Sequence, residues 1–125
     1  MNALKVLVIA WSFACLPALA DIITFECDYP TYSDKTGVQD ATGFEFKFVS
    51  DTDTGKAYMN GSNGSTEVRL SMRADKDGVN VLEITDSGNA MLTTILFSGQ
   101  SVHSRNSVIM DEFIASQYYG TCDIK

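Results

Sequence analysis

Beyond residue 21 the chain is written in period two, and that leaves room for little except antiparallel sheet. Phe44-Glu45-Phe46-Lys47-Phe48 sets three aromatic side chains against two charges, the alternation of a strand with one buried face. Residues 22–27 repeat it, with Ile23, Phe25 and Cys27 on one side and Ile22, Thr24 and Glu26 on the other. Residues 66–73 do so again, setting Val68, Leu70 and Met72 against Glu67, Arg69, Ser71 and Arg73. Further strands are predicted over 56–60, 79–85, 90–97, 101–109 and 113–122. Turn signals separate them: SDTDTG at 50–55, NGSNGS at 60–65, Asp77-Gly78, DSGN at 86–89 and SGQ at 98–100. Asn-Gly and Asp-Gly accept the positive φ of a tight hairpin. Residues 110–112 read as a short link of up to one helical turn, and the polar stretch 28–42 as the longest connection. No segment holds a helical period for three turns. The expectation is an all-β fold, a small antiparallel meander of about eight strands closed into a barrel or folded into a sandwich.

The first twenty residues follow different rules. Lys5 is their lone charge, residues 6–16 are apolar, Pro17 breaks any helix, and Ala18-Leu19-Ala20 precedes polar Asp21. This order is that of a cleavable export signal, its apolar run being shorter than the ~20 residues a membrane span needs. A lipid anchor at Cys15 would require different residues from Ser12 and Phe13 ahead of it. Cleavage after Ala20 predicts a secreted or periplasmic product, residues 21–125, with no membrane attachment. Loss of Lys5 from 9 basic and 16 acidic residues leaves 8 against 16, a net charge of −8. That is one domain's length, and its acidity argues against nucleic acid and anionic membrane surfaces while suiting a basic partner.

Cleavage also removes one of three cysteines. Cys27 and Cys122 remain, an even number in an oxidising compartment, and are expected to form a disulfide that ties the two ends. Two cysteines and one histidine cannot complete a structural zinc site. The pairing raises a geometric problem: both cysteines end their predicted strands, whereas the first and last strands of an eight-stranded meander are antiparallel. A miscounted strand, a first strand that continues toward Tyr29, or a bridge across the core would each resolve it, because bridged Cα atoms must approach within about 7 Å.

Chemistry-bearing residues are sparse. His103, the sole histidine, lies in the polar run VHSRNS and reads as exposed beside Arg105, with no G-x-S-x-G elbow anywhere to make a triad. Asp51-Thr52-Asp53-Thr54-Gly55 opens like a calcium loop, but glycine arrives at the fifth position and Ser62 stands where a bidentate glutamate belongs. Asn60 and Asn63 each begin an N-glycosylation sequon that doubles as turn sequence. No cofactor or metal is predicted, and no catalytic residue. Tyr29 and Tyr32 in the long connection, with Tyr119 near the C-terminus, are the candidates for contact with a partner, tyrosine supplying recognition surface at small entropic cost; parity with Cys122 turns Tyr118 inward.

The export signal, an early strand ending Phe25-Glu26-Cys27-Asp28, a β-meander and a late cysteine together resemble the small periplasmic β-barrels that inhibit lysozyme, the membrane-bound C-type inhibitors among them. The resemblance is architectural. The S-G-x-x-Y and F-W-x-K-G segments of those proteins are absent, so no functional residue carries over. It implies a monomeric, non-catalytic binding or inhibitory module whose target is a basic envelope or extracellular protein. The alternative is a small-ligand carrier using the barrel interior, which bulky inward side chains would fill. An enzyme is the third possibility, disfavoured for want of a nucleophile–base constellation.

Overall fold

The structure, a computed structural model, describes residues 21–62 and 64–125. The segment read as an export signal and Asn63 of the second sequon lie outside the described residues. Nine strands form one antiparallel sheet: β1 (Ile22–Asp34), β2 (Gly37–Asp40), β3 (Glu45–Asp51), β4 (Lys56–Gly61), β5 (Gly64–Met72), β6 (Gly78–Ile84), β7 (Ala90–Leu96), β8 (Gln100–Ile109) and β9 (Glu112–Ile124). Strands β3 to β9 pair in sequence order, and β1 joins β3 on one side and β9 on the other. Eight strands thus close into a barrel, and β2 pairs with the second half of β1 as an added strand.

The expected strand count is short by one, and the difference lies in residues 28–42. This stretch is a continuation of β1 followed by a hairpin into β2. Its strand character is hidden because β1 is irregular between Asp28 and Thr31, where its register with β9 shifts. A bulge of this kind bends a strand and breaks the alternation on which sequence reading depends. Tyr29 sits at that irregularity with its side chain fully buried. It is therefore a core residue, and the expectation that it occupies a surface loop is corrected.

The same continuation resolves the cysteine problem. β1 runs seven residues past Cys27 alongside β9, so Cys27 faces Cys122 directly. Thr24 and Lys125 exchange both backbone hydrogen bonds, which makes Cys27–Cys122, three rungs on, a non-hydrogen-bonded pair, the kind that brings facing residues closest. Their Cα atoms are 4.0 Å apart and the two sulfurs are bonded. Beside the bulge, β9 carries Gly120, where an added Cβ would overlap the Asp28 carbonyl oxygen. Only glycine lets the two strands meet there.

One end of the barrel, bearing Asp21, Lys125 and the turns at 52–55, 73–77 and 97–99, is closed by packing. Phe25, Phe48, Ala57, Val68, Val79, Val81 and Ile95 are buried there around the disulfide and Tyr29. Phe44, Phe46 and Phe48 all point inward as their alternation predicts, Phe48 buried and the other two partly so. The Ser101 hydroxyl donates to the Thr94 carbonyl (2.9 Å) and so receives the proton of the Tyr29 hydroxyl (2.7 Å); burial pushes the Tyr29 phenol up to about 12. Asp51, first residue of the calcium-like run, accepts the backbone N–H groups of Asp53 (2.9 Å) and Thr54 (3.3 Å), the local bonding of a turn. The link at 110–112 is a hairpin turn rather than a helical one: Met110 and Asp111 both adopt positive φ, 51° and 63°, the signs of a type I′ turn.

The Cys27–Cys122 bridge closes a loop with a sequence separation of 95. Replacing both cysteines with alanine should cost about 3–5 kcal/mol of unfolding free energy, measured by urea denaturation. A cost under ~1 kcal/mol would mean that the β1–β9 ladder closes the barrel unaided.

Candidate functional site

Inward-facing residues stack in rungs across the barrel wall. The rung nearest the packed end runs Val79–Ile95–Ser101–Gly120, apolar apart from the satisfied Ser101. The next runs Val81–Thr93–His103–Tyr118–Tyr32. The third, nearest the opposite end, runs Glu83–Met91–Arg105–Ser116. Polarity therefore rises along the barrel axis. Beyond the second rung the interior opens into a cavity of about 340 Å³, between residues that include Phe44, Phe46, Met59, Met91, Glu83, His103 and Arg105. Its mouth lies at the end remote from Asp21 and Lys125, and its volume is within the range that holds small ligands.

His103 corrects the sequence expectation most sharply: it is 2 % exposed. Register explains this, since β8 sets it opposite Thr93 on one side and Tyr118 on the other. The rings of Tyr29, Phe44, Phe46 and Tyr118 all lie within 6 Å of the imidazole, centroid to centroid. Nδ1 is 2.7 Å from the Thr93 hydroxyl. Which of the two groups carries the proton of that bond follows from the imidazole tautomer. Nε2 has no protein partner. Burial, and secondarily the charge of Arg105, lower the imidazole pKa to about 4. His103 is consequently neutral at physiological pH.

Two further polar atoms in the third rung are equally alone. Glu83 is 8 % exposed and its Oε2 has no protein partner; burial raises its pKa, against the opposing pull of Arg105. The Arg105 guanidinium lies over the ring of Phe44 (5.2 Å) and beside that of Tyr118 (5.9 Å), and Nη2 contacts the Met91 sulfur at 3.7 Å. Its Nε is buried without a partner. Phe44 and Tyr118 stack on each other at 4.0 Å, which stiffens the platform under the cation. Glu83 on β6 and His103 and Arg105 on β8 thus share one wall of the cavity, with Met91 of β7 between Glu83 and Arg105.

The tyrosines singled out from sequence do not converge. Tyr29 is in the core. Tyr32 faces inward against Tyr118, ring centroids 5.1 Å apart, and donates to Gln39 Oε1 at 2.8 Å. Tyr119 lies on the outer wall, donating to Gln117 Oε1 (3.0 Å) and accepting from Ser33 Oγ (3.2 Å). Sequence reading missed Glu83 and Arg105. The signal available was a charged residue at a position that strand parity turns inward. A larger depression of about 490 Å³ lies on the outer wall around Glu26, Glu45, Lys47 and Asp123, but Glu26 is already paired with Lys47 (3.6 Å) and Lys125 (2.9 Å). Comparison with protein-family models, curated proteins and solved structures finds no match to the chain.

Burial of His103 fixes the sign of a pH effect. With pKa values of 6.5 unfolded and about 4 folded, the unfolded chain binds the extra proton first, so stability is full above pH 6.5 and falls as pH drops toward 4. The loss approaches about 3 kcal/mol. Glu83, with its raised pKa, shifts stability the opposite way, so the quantity to measure is the difference between the wild-type protein and His103→Gln. Urea midpoints taken from pH 7.5 to 4 should converge as pH falls; parallel curves would show that His103 titrates normally.

Proposed function

We propose that the protein is an exported, non-catalytic carrier or sensor that binds a small molecule in the open half of its barrel. The observation that carries this is a cavity of about 340 Å³ lined by Glu83, His103 and Arg105, each of which also holds a buried polar atom without a protein partner. An orphaned buried polar group costs on the order of 1–3 kcal/mol, and a ligand that pairs with these side chains recovers part of that cost. Catalysis fits the site less well. The one hydroxyl on His103 is that of Thr93, 2 % exposed beneath the cavity, and an imidazole with a pKa near 4 is a weak base at neutral pH. Export accords with the structural disulfide and the segment 1–20. Ligand-observed NMR with a fragment library tests the proposal. Binders should shift the resonances of His103 and the Met91 methyl, and Met91→Trp, which fills the cavity, should weaken them at least ~10-fold. Binders that perturb only the outer wall, or bind Met91→Trp unchanged, would refute it.

A second reading, binding of a basic protein target by a monomer, rests on the β8–β9 hairpin. Its end projects beyond the barrel and carries Val108, Ile109, Met110, Phe113 and Ile114, all exposed, Met110 to 93 % and Phe113 to 82 %. Asp111 and Glu112 lie at the same tip. Clustered exposed apolar groups rimmed by charge mark interaction surfaces, and the acidic residues suit a cationic partner, as does the resemblance to lysozyme inhibitors. Met110→Ser/Phe113→Ser should abolish capture of such a partner from envelope extract while leaving fragment binding in the barrel unchanged; equal capture by both proteins would eliminate this reading.

A further inference from the structure

The end of the β8–β9 hairpin has an open edge: we infer that a second copy of this chain covers it, pairing antiparallel with residues 112–116 of β9 across a two-fold axis at Ile114. The Cys122 N–H donates to the Gly99 carbonyl ahead of β8, and Lys125, just past β9, exchanges both backbone bonds with Thr24 of β1. Alternation along β9 therefore turns the backbone groups of even-numbered residues to β8 and those of odd-numbered residues to β1. The ladder with β1 ends at Ser33–Gln117, so the N–H and C=O groups of Phe113 and Ala115 face outward with no strand beside them. On the opposite side of the hairpin the Val108 N–H donates to Asn89 Oδ1 (2.9 Å), which caps that edge. Native sheets blunt an open edge with charge, proline or a bulge; Phe113-Ile114-Ala115-Ser116 has none of these. The other open edges differ. β2 ends on Asp40, and β5 carries Glu67 ahead of Arg69, where its pairing with β6 begins.

A two-fold axis at Ile114 sets Phe113 of each copy opposite Ala115 of the other. Each such pair exchanges both backbone hydrogen bonds, and the two Ile114 side chains meet between them in a non-hydrogen-bonded pair, the closest kind. The side chains suit this register. Phe113, 82 % exposed, comes to lie beside a small alanine, and Glu112 falls opposite Ser116, so no like charges face each other. Parity puts Val108 and Phe113 on one face of the hairpin and Ile109 and Ile114 on the other, all of them exposed. A two-stranded ribbon is marginal alone; two strands from each copy make a broader sheet that covers apolar groups on both faces. Pairing stops at Ser116, because Ser33 of β1 already occupies the edge at Gln117. The Met110-Asp111 turn of one copy therefore arrives at the β1–β2 turn of the other. Lys35 is exposed there, and among the described residues no ion pair engages it; the Asp34 carboxylate accepts from Thr36 and Gln39 within its own turn. Asp111 and Glu112 supply the complement of Lys35. An isologous dimer needs a self-complementary patch, and this one is a short strand edge flanked by opposite charges. So small an interface makes a weak, concentration-dependent dimer.

Such a dimer forms whatever the cavity holds, and it competes with the basic partner of the second reading for the same hairpin. Sedimentation velocity on the exported protein, from micromolar to millimolar concentration, should show the mass rising from one chain to two. Ile114→Lys and Ile114→Glu each set like charges opposite each other at the axis, so each alone should self-associate at least ~10-fold more weakly. An equimolar mixture of the two should recover the dimer. Hydrogen exchange of the unaltered protein needs no variant: protection of the Phe113 and Ala115 amides should rise with concentration. A protein that stays monomeric at millimolar concentration would overturn the inference. So would a dimer that Ile114→Lys leaves intact, or one that the mixture of two folded variants fails to restore. If circular dichroism shows either variant unfolded, the exchange result decides alone, and protection of these amides that does not change with concentration rules the pairing out.

Discussion

The fold depends on one non-local ladder. Every other strand pairing in this barrel is local, joining neighbours along the chain or, for β1 and β3, strands separated only by the short β2. Only β1–β9 must bring together residues nearly the whole domain apart, from Phe25 opposite Ile124 to Ser33 opposite Gln117. Non-local pairing carries the largest entropic cost in assembling such a sheet. It is also where the chain concentrates its special features: the disulfide, the β1 bulge, and Gly120 set against the Asp28 backbone. These act together. The bulge turns Tyr29 into the core, the missing side chain at Gly120 allows the strands to approach across it, and the bridge holds the register that both require.

With the seam held at the packed end, the far end is released from the same demands. The first rung is made of Val79, Ile95 and the fully satisfied Ser101. Two rungs further along, the equivalent positions are Glu83, Met91 and Arg105. A barrel of eight strands is just wide enough for side chains to fill or for one small ligand to enter, and this one is filled at one end and open at the other. The packed end carries the stability, and the open half holds unsatisfied groups that a core would not tolerate.

What could be read in the sequence followed from how faithfully each strand kept its period. Residues 44–48 alternate without interruption, and all three phenylalanines point inward as expected. Parity also turned Tyr118 inward correctly, because β9 is regular from there to Cys122 apart from the bare Gly120. The stretch 28–42 failed for the opposite reason. The bulge between Asp28 and Thr31 shifts the phase, so Tyr29 and Tyr32 both face inward although their spacing is odd. A turn closed by Met110 and Asp111 in positive φ could not be recognised, since those residues lack the Asn-Gly signature of such turns. His103 reads as exposed because the residues that follow it, Ser104 to Ser107, are all polar. Its burial is decided by what β7 and β9 set beside it, which only register reveals.

The polarity of the open half is therefore better viewed as a cost with a direction. Leucine or methionine at positions 83, 103 and 105 would continue the apolar filling of the packed end, and replacing buried polar groups by well-packed apolar ones is often neutral or stabilising. The chain instead carries an acid, a neutral imidazole and a guanidinium there, and commits Thr93, Phe44 and Tyr118 to holding two of them in place. Nδ1 of His103 and the face of the guanidinium have partners, and Nε2 and Nε are left over. Side chains fixed by one set of contacts and left unpaired at another are preorganised. Their ordering cost falls on folding, offset in part by the bridge at the other end of the barrel, and little of it remains to oppose a ligand.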